Sequence, residues 1–217
     1  MITLFGNLES GNVHKVQMIL HRVEIPYRRV DVSQTRNETR NVAYLKLNPI
    51  GKIPAVKFDS GDVLTESGAI LFFFAQNTEL WPDDTRIQAE VLRWMFFEQY
   101  SHEPALAVIR YLTHHVPDPH EFTDRVSELK PKARFALDVL ENHLKRNIWI
   151  AHSTCTIADY ALYPYTRLAD EAGFTLDEFP NIQKWLARVE TQRNHIPFRI
   201  DGATETLSFQ QYFLEKT

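Results

Sequence analysis

The chain changes character once, and that change constrains the fold more than any other feature. Up to about residue 80, short β-prone stretches alternate with helix-period runs. From Arg86 onward no convincing strand pair appears, only long amphipathic runs. Ile2-Thr3-Leu4-Phe5 is short and β-prone, and Gly6-Asn7 and Ser10-Gly11-Asn12 punctuate the residues after it. Val13, Val16, Leu20 and Val23 then recur at helical spacing and stop at Ile25-Pro26. Tyr27 to Val32 alternates again, so β-α-β is the natural reading, with parallel strands and a right-handed crossover. Arg36 to Leu47 is helix-compatible and ends at Asn48-Pro49-Ile50-Gly51. Two short strands, Ile53 to Phe58 and Val63-Leu64, flank the polar Asp59-Ser60-Gly61-Asp62 as a β-hairpin. Glu66-Ser67 opens a third helical run through Gln76. The first third thus reads βαβαββα.

Beyond Leu80-Trp81-Pro82-Asp83-Asp84 the period is helical throughout. Val91, Trp94, Met95 and Glu98 share one face; so do Ala136, Leu137, Leu140 and Leu144, and Ile182, Trp185, Leu186 and Val189. Pro117-Asp118-Pro119-His120 and Glu178-Phe179-Pro180-Asn181 interrupt these runs. The expected architecture is an α/β domain over residues 1–80 followed by an all-helical domain over residues 87–217.

Composition narrows the function classes. With 44% hydrophobic and 24% charged residues among 217, the chain can bury a core and is not a disordered segment. A net charge of -4 disfavours a phosphate backbone as partner, so no nucleic acid is expected. The single cysteine, Cys155, excludes an internal disulfide and a C-x-x-C redox or zinc motif, which fits a reducing compartment. The longest apolar cluster, Ala69 to Ala75, is too short to span a bilayer, and the first residues lack a signal-peptide pattern. The expectation is a cytoplasmic protein without a membrane partner.

Three short motifs carry chemistry, each beside a plain structural alternative. Ile53-Pro54 precedes a strand, where proline's missing N–H is tolerated. Only about 5–6% of X-Pro bonds in folded proteins are cis, so trans is the expectation from frequency alone. A cis bond would instead turn the Ile53 N–H and C=O outward to receive an extended peptide. At Glu66-Ser67, a hydroxyl and the free N–H groups of a helix start suit a carboxylate, while Glu66 suits an ammonium. Together they would fit the α-end of an amino acid. The alternative is capping of that helix by Thr65 or Ser67. In Glu9-Ser10-Gly11-Asn12-Val13, Ser10 lies between a strand's carboxyl end and a helix start, a favoured ligand position. It lacks a G-x-S-x-G elbow and reads as a hydrogen-bond donor to an anion, or as an ordinary N-cap.

Order and spacing make these motifs specific in combination. Asn48-Pro49-Ile50-Gly51-Lys52-Ile53-Pro54-Ala55-Val56, Leu64-Thr65-Glu66-Ser67-Gly68-Ala69-Ile70, the capping-box text Thr156-Ile157-Ala158-Asp159-Tyr160 and the later Phe179-Pro180-Asn181-Ile182-Gln183-Lys184-Trp185 resemble the cytosolic glutathione transferase superfamily, from residue 2 to about 198. The resemblance implies a thioredoxin-like first domain, a helical second domain and a homodimer. It also implies glutathione as co-substrate without a metal. The γ-glutamyl end would rest on Glu66 and Ser67 and the cysteinyl backbone on Ile53 beside a cis Pro54. The glycine carboxylate would fall to Lys52, Thr39 or Arg40. Ser10 would face the thiol, as in the serine-type members, with Asn12 beside it.

By the same resemblance the protein is a transferase aiming a glutathione thiolate at a small, largely apolar electrophile. Tyr100, His102 or Tyr111 would be candidates to touch that electrophile. Ser10 with Asn12 and no neighbouring cysteine equally suits glutathione-dependent disulfide reduction. A non-catalytic scaffold or carrier of the same fold is the rival from another class. Cys155 is expected to be buried and inert. His114, His115 and His120 are expected on the surface rather than around a metal. Phe209, Tyr212 and Phe213 fold over the pocket or pack on the surface.

Overall fold

The computed structural model describes residues 1–214, which fall into two compact units: Met1–Ala75 together with the segment from Arg193 onward, and Gln76–Gln192. In the first unit β1 (Ile2–Phe5) leads into helix α1 (Gly11–Arg22) and returns as β2 (Tyr27–Val30), parallel to β1. Helix α2 (Val42–Leu47) precedes the hairpin of β3 (Ala55–Lys57) and β4 (Val63–Thr65), and α3 (Ser67–Ala75) closes the sequence. The order βαβαββα is therefore as expected.

The helix expected from Arg36 is divided. A single 3-10 turn, Glu38–Arg40, gives way to α2 at Asn41, whose extended backbone and side-chain bond to the Ala43 N–H make it an N-cap. The hairpin turn closes through the Phe58 N–H on the Asp62 carbonyl at 2.9 Å.

The expectation of a helical domain running to the end of the chain does not hold beyond Gln192. Residues Glu205–Leu207 form β5, which pairs parallel with β2 and completes a sheet of order β4-β3-β1-β2-β5. Three residues with Glu205 and Thr206 exposed leave no alternation to read, so this strand has no sequence signature. Tertiary bonds hold it instead. Arg29, buried on β2, donates from Nη2 and Nε to Asp201, from Nη1 to Asp31 and from Nη1 to the Gly6 carbonyl. Each of its three nitrogens thus has an acceptor, which is what a buried cation requires. The Gln17 amide reaches the Ile200 carbonyl, and Phe198 sets its ring edge-on to His14 on α1 at 5.3 Å. The last described helix, α9 (Phe209–Phe213), lays Tyr212 and Phe213 on Phe5, and Phe213 on Tyr44. The aromatic tail thus packs on the sheet core.

The second unit is helical: α4 (Thr85–Phe97), a π turn at Glu98–His102, α5 (Glu103–His114), α6 (Thr123–Leu144), α7 (Ile157–Arg167) and α8 (Pro180–Glu190). The apolar stripes read from the sequence are its core: Val91, Trp94, Ala136, Leu137, Leu140, Ile182 and Trp185 are all buried. One buried carboxylate organises it. Asp159 accepts from the Thr156 N–H and hydroxyl as a capping box, from the Ile150 N–H at 3.0 Å and from the Trp185 indole N–H at 2.9 Å. Burial pushes its carboxyl upward, against the pull of those bonds from Thr156, Trp185 and Ile150. No helix among the described residues is long and apolar enough to cross a membrane.

Candidate functional site

Strand register brings the three motifs to one end of the sheet. Phe5 of β1 lies opposite Ala55 of β3, and Ala55 opposite Thr65 of β4. Phe5 is the last residue of its strand, Ala55 the first and Thr65 the last, so one row of partners has all three segments leaving at the same edge. The loop to Ser10 leaves from Phe5, Ile53-Pro54 arrives at Ala55, and Glu66-Ser67 leaves from Thr65. Helices α1 and α3 both begin there, which aims two sets of unpaired helix-start N–H groups and two positive dipole ends at the same place.

A side-chain bond ties the two helix starts together. The Ser67 hydroxyl donates to Asn12 Oδ1 at 3.3 Å, although the two residues are 55 positions apart. Ser67 therefore does not cap its own helix, and Thr65 lies within β4. The start of α3 is formed by Glu66, whose carbonyl accepts the Ile70 N–H at 3.0 Å. Glu66 has φ 67°, the left-handed region that a residue with a side chain seldom occupies, at a cost of about 1–3 kcal/mol. Its carboxylate is exposed and makes no hydrogen bond or ion pair among the described residues.

Ser10 is the N-cap of α1, with φ -86° and ψ 118°, and its Oγ accepts the Val13 N–H at 3.3 Å. The plain reading of Ser10 is thus geometrically correct, yet an acceptor role leaves the hydroxyl hydrogen available to a ligand. Capping and donation to an anion are compatible in one side chain.

The Ile53-Pro54 bond is cis, against the expectation from frequency alone. The peptide before it is fixed through the Lys52 carbonyl, which accepts from the Tyr44 hydroxyl at 2.7 Å and from Asn48 Nδ2 at 2.8 Å. Burial pushes the Tyr44 phenol up, opposed by Asn48, so Tyr44 remains a donor. Gly51 turns the chain at φ +65°, and a Cβ there would stand 2.8 Å from Arg40 Nη1 and 3.0 Å from the Thr39 carbonyl. Only glycine fits this turn without displacing Arg40. Sequence reasoning assigns neither Asn48 nor Tyr44 a role in the site. Asn48 stands in the motif text itself; Tyr44 reads only as a helical apolar position.

Of the three candidates for a carboxylate partner, Thr39 is buried, whereas Arg40 and Lys52 are exposed on either side of the Gly51 turn. Arg40 leans on the Ile50 carbonyl at 3.4 Å. The residues proposed for a second substrate belong to the helical unit. There His102 is fully buried with Nε2 2.8 Å from Thr166 Oγ1, a core role that keeps it from any substrate. Tyr100 is 87% exposed and Tyr111 stacks on His115. Cys155 is buried, as expected.

A five-stranded mixed sheet with two helix starts at one end, followed by a separate helical unit, defines a thioredoxin-like first domain and a helical second one. Comparison with known proteins names the family. Residues 1–76 match the family described as "Glutathione S-transferase, N-terminal domain" and residues 105–193 that described as "Glutathione S-transferase, C-terminal domain". The chain belongs to the cytosolic glutathione transferase superfamily. A solved glutathione S-transferase from Pseudomonas fluorescens [Pf-5] is 38% identical, with a TM-score of 0.89 over 92% of this chain and 99% of that one. Among curated relatives, glutathione S-transferase GstB of Escherichia coli (strain K12) is 28% identical over 85% of this chain and 91% of its own. The disulfide-bond oxidoreductase YfcG of the same organism is 26% identical over 84% and 87%.

Proposed function

We propose that the protein is a glutathione-dependent enzyme of the serine type, binding glutathione at the sheet end and donating the Ser10 hydroxyl to its thiolate. The observation that carries this reading is the shared row Phe5–Ala55–Thr65 with the Ser67–Asn12 bond, which sets an anion donor, a backbone edge and a carboxylate together. Each suits one part of γ-glutamyl-cysteinyl-glycine. The α3 start and the Ser67 region meet the γ-glutamyl carboxylate, and Glu66 its ammonium. The Ile53 backbone pairs with the cysteinyl unit as a short added strand. Arg40 and Lys52 offer cations to the glycine carboxylate.

The chemistry rests on a lowered thiol pKa. A free thiol titrates near about 8.5, and one charge-assisted hydrogen bond of about 1.5–3 kcal/mol lowers that by one to two units. The field of the α1 start acts in the same direction. The thiolate then attacks an electrophilic carbon, or one sulfur of a disulfide. In the first case the leaving group departs or a conjugate proton is taken from solvent; in the second, a mixed disulfide forms as one thiolate leaves, and a second glutathione displaces the other, giving glutathione disulfide and two thiols.

Disulfide reduction is the second reading, favoured by a specific observation. The protein's only cysteine, Cys155, is buried in the other unit, so glutathione would supply both sulfurs. Likeness to YfcG supports it too. Initial rates with a generic aryl halide and with a hydroxyethyl disulfide, each with glutathione, distinguish the two: activity on the first alone favours transfer, and on the second alone reduction. Activity on neither, despite glutathione binding, returns the scaffold reading. In this reading the enzyme acts as a homodimer.

A further inference from the structure

The helical unit carries a cationic pocket that the glutathione reading does not use. It has a volume of about 240 Å³ and is lined by Leu144, Lys145, Arg146, Asn147, Ile148, Asn181, Lys184 and Arg188. The end of α6, the loop after it and one face of α8, from Asn181 through Lys184 to Arg188 in its last turn, form its walls. Four of those eight lining residues are cations and none is an acid, in a chain whose net charge is -4.

Most arginines of the same unit are paired, whereas the four lining cations, like Arg86 and Lys130 elsewhere in it, hold no carboxylate among the described residues. Arg93, Arg110, Arg125, Arg134 and Arg167 of the same unit each hold a carboxylate. Lys145, Arg146, Lys184 and Arg188 hold none among the described residues; Lys145 meets only Asn142 Oδ1, and Arg188 Nη2 only the Ile148 carbonyl. Arg188, whose guanidinium lies 5.9 Å over the Trp149 ring, has its Nε buried with no hydrogen-bond partner. Glu141, bonded to the lining residue Asn181, is already engaged: it accepts from the Asn181 N–H and side-chain amide and from the Ile182 N–H. It fixes the α8 start without neutralising the pocket. Four like charges facing one cavity repel unless an anion lies between them, and a guanidinium fork with ammonium groups is the donor set that phosphoryl oxygens take.

The geometry points to a binding site for a small doubly charged phosphoryl anion, free phosphate or a phosphomonoester, in this pocket. Two arms identify the source: inorganic phosphate and phenyl phosphate, each titrated into the full chain at matched ionic strength and followed by backbone amide NMR. Expected are saturating shifts confined to residues 144–148 and 181–188. The tighter probe names the source: phenyl phosphate if the pocket takes the organic group, inorganic phosphate if it takes the free ion. The Arg146→Ala/Lys184→Ala variant should weaken binding at least tenfold with an unchanged Tm, both residues being exposed. Lys130→Ala, an exposed cation elsewhere on α6, should leave binding unchanged. Absence of saturation by tens of millimolar, shifts centred on residues 10–12 and 66–68, or full affinity in the double variant would each overturn the assignment.

Discussion

Replacing Ser10 separates the two roles its hydroxyl combines. As N-cap it accepts the Val13 N–H at 3.3 Å, and Ser10→Ala removes that bond at about 0.5–2 kcal/mol of stability. Ser10→Gly removes the same hydroxyl but costs only a few tenths as a cap. If the hydroxyl also donates to the thiolate, both variants lose about 1.5–3 kcal/mol of selective anion stabilisation, and the bound thiol rises by one to two units at about 1.36 kcal/mol each. Well below the thiol pKa, kcat/KM should therefore fall about 10- to 100-fold in both variants. At alkaline pH, where the thiol ionises unaided, the gap should narrow. Glutathione affinity should change little, because the rest of the tripeptide is held elsewhere. The assay is a pH–rate profile alongside thermal unfolding for the three proteins. A glycine variant as active as the parent, or an activity loss that parallels stability and not pH, would refute the donor role.

Other residues give further expected outcomes. Asp159→Ala should destabilise the helical unit by about 3–5 kcal/mol in chemical denaturation, because the N–H groups of Ile150 and Trp185 lose their acceptor along with the capping box; a loss below about 1 kcal/mol would contradict this. Burial, then the neighbouring His195 and His21, hold the His14 imidazole down to about 3, against the usual 6.5, with a Gln17 hydrogen bond opposing. The unfolded chain thus binds a proton that the folded one refuses. This contribution is fully present above pH 6.5 and is lost as pH falls toward about 3, by up to ~1.4 kcal/mol per pH unit. His14→Leu should flatten the acid limb of stability against pH by that slope; an unaltered limb would show His14 does not set it. Glu66→Gln should leave Tm unchanged, since that exposed side chain makes no hydrogen bond or ion pair among the described residues, while weakening glutathione about tenfold, read by calorimetry.

Most of the first unit was legible because its cues are local. The switch from period two to period 3.6, the Asp59–Asp62 turn and the Ile53-Pro54 text each occupy a few consecutive residues, and the strands formed where they stood. The convergence of the three motifs was legible for a related reason: all three flank strand ends, so once the strands pair, they must meet. What escaped was set by contacts distant in sequence. Strand β5 forms because Arg29 needs Asp201 and because β2 would otherwise be an open edge; nothing in Glu205-Thr206-Leu207 announces it. Tyr44 serves the site through its hydroxyl on the Lys52 carbonyl, a bond invisible to a period that counts only its ring. The cis state of Ile53-Pro54 ran against its frequency and became an expectation only through the family resemblance. His102 became a substrate candidate only through the family resemblance, and its bond to Thr166 puts it in the core instead.

The central claim is that the sheet end holds glutathione. Its most direct test is calorimetric titration of the purified chain with glutathione and with glutathione disulfide at matched pH and salt, repeated on Ser67→Ala. Expected is saturable binding of at least one of the two, with affinity reduced in the variant that loses the hydroxyl joining Asn12 to the α3 start. No heat and no rise in Tm with either ligand, or equal affinity in Ser67→Ala, would contradict it.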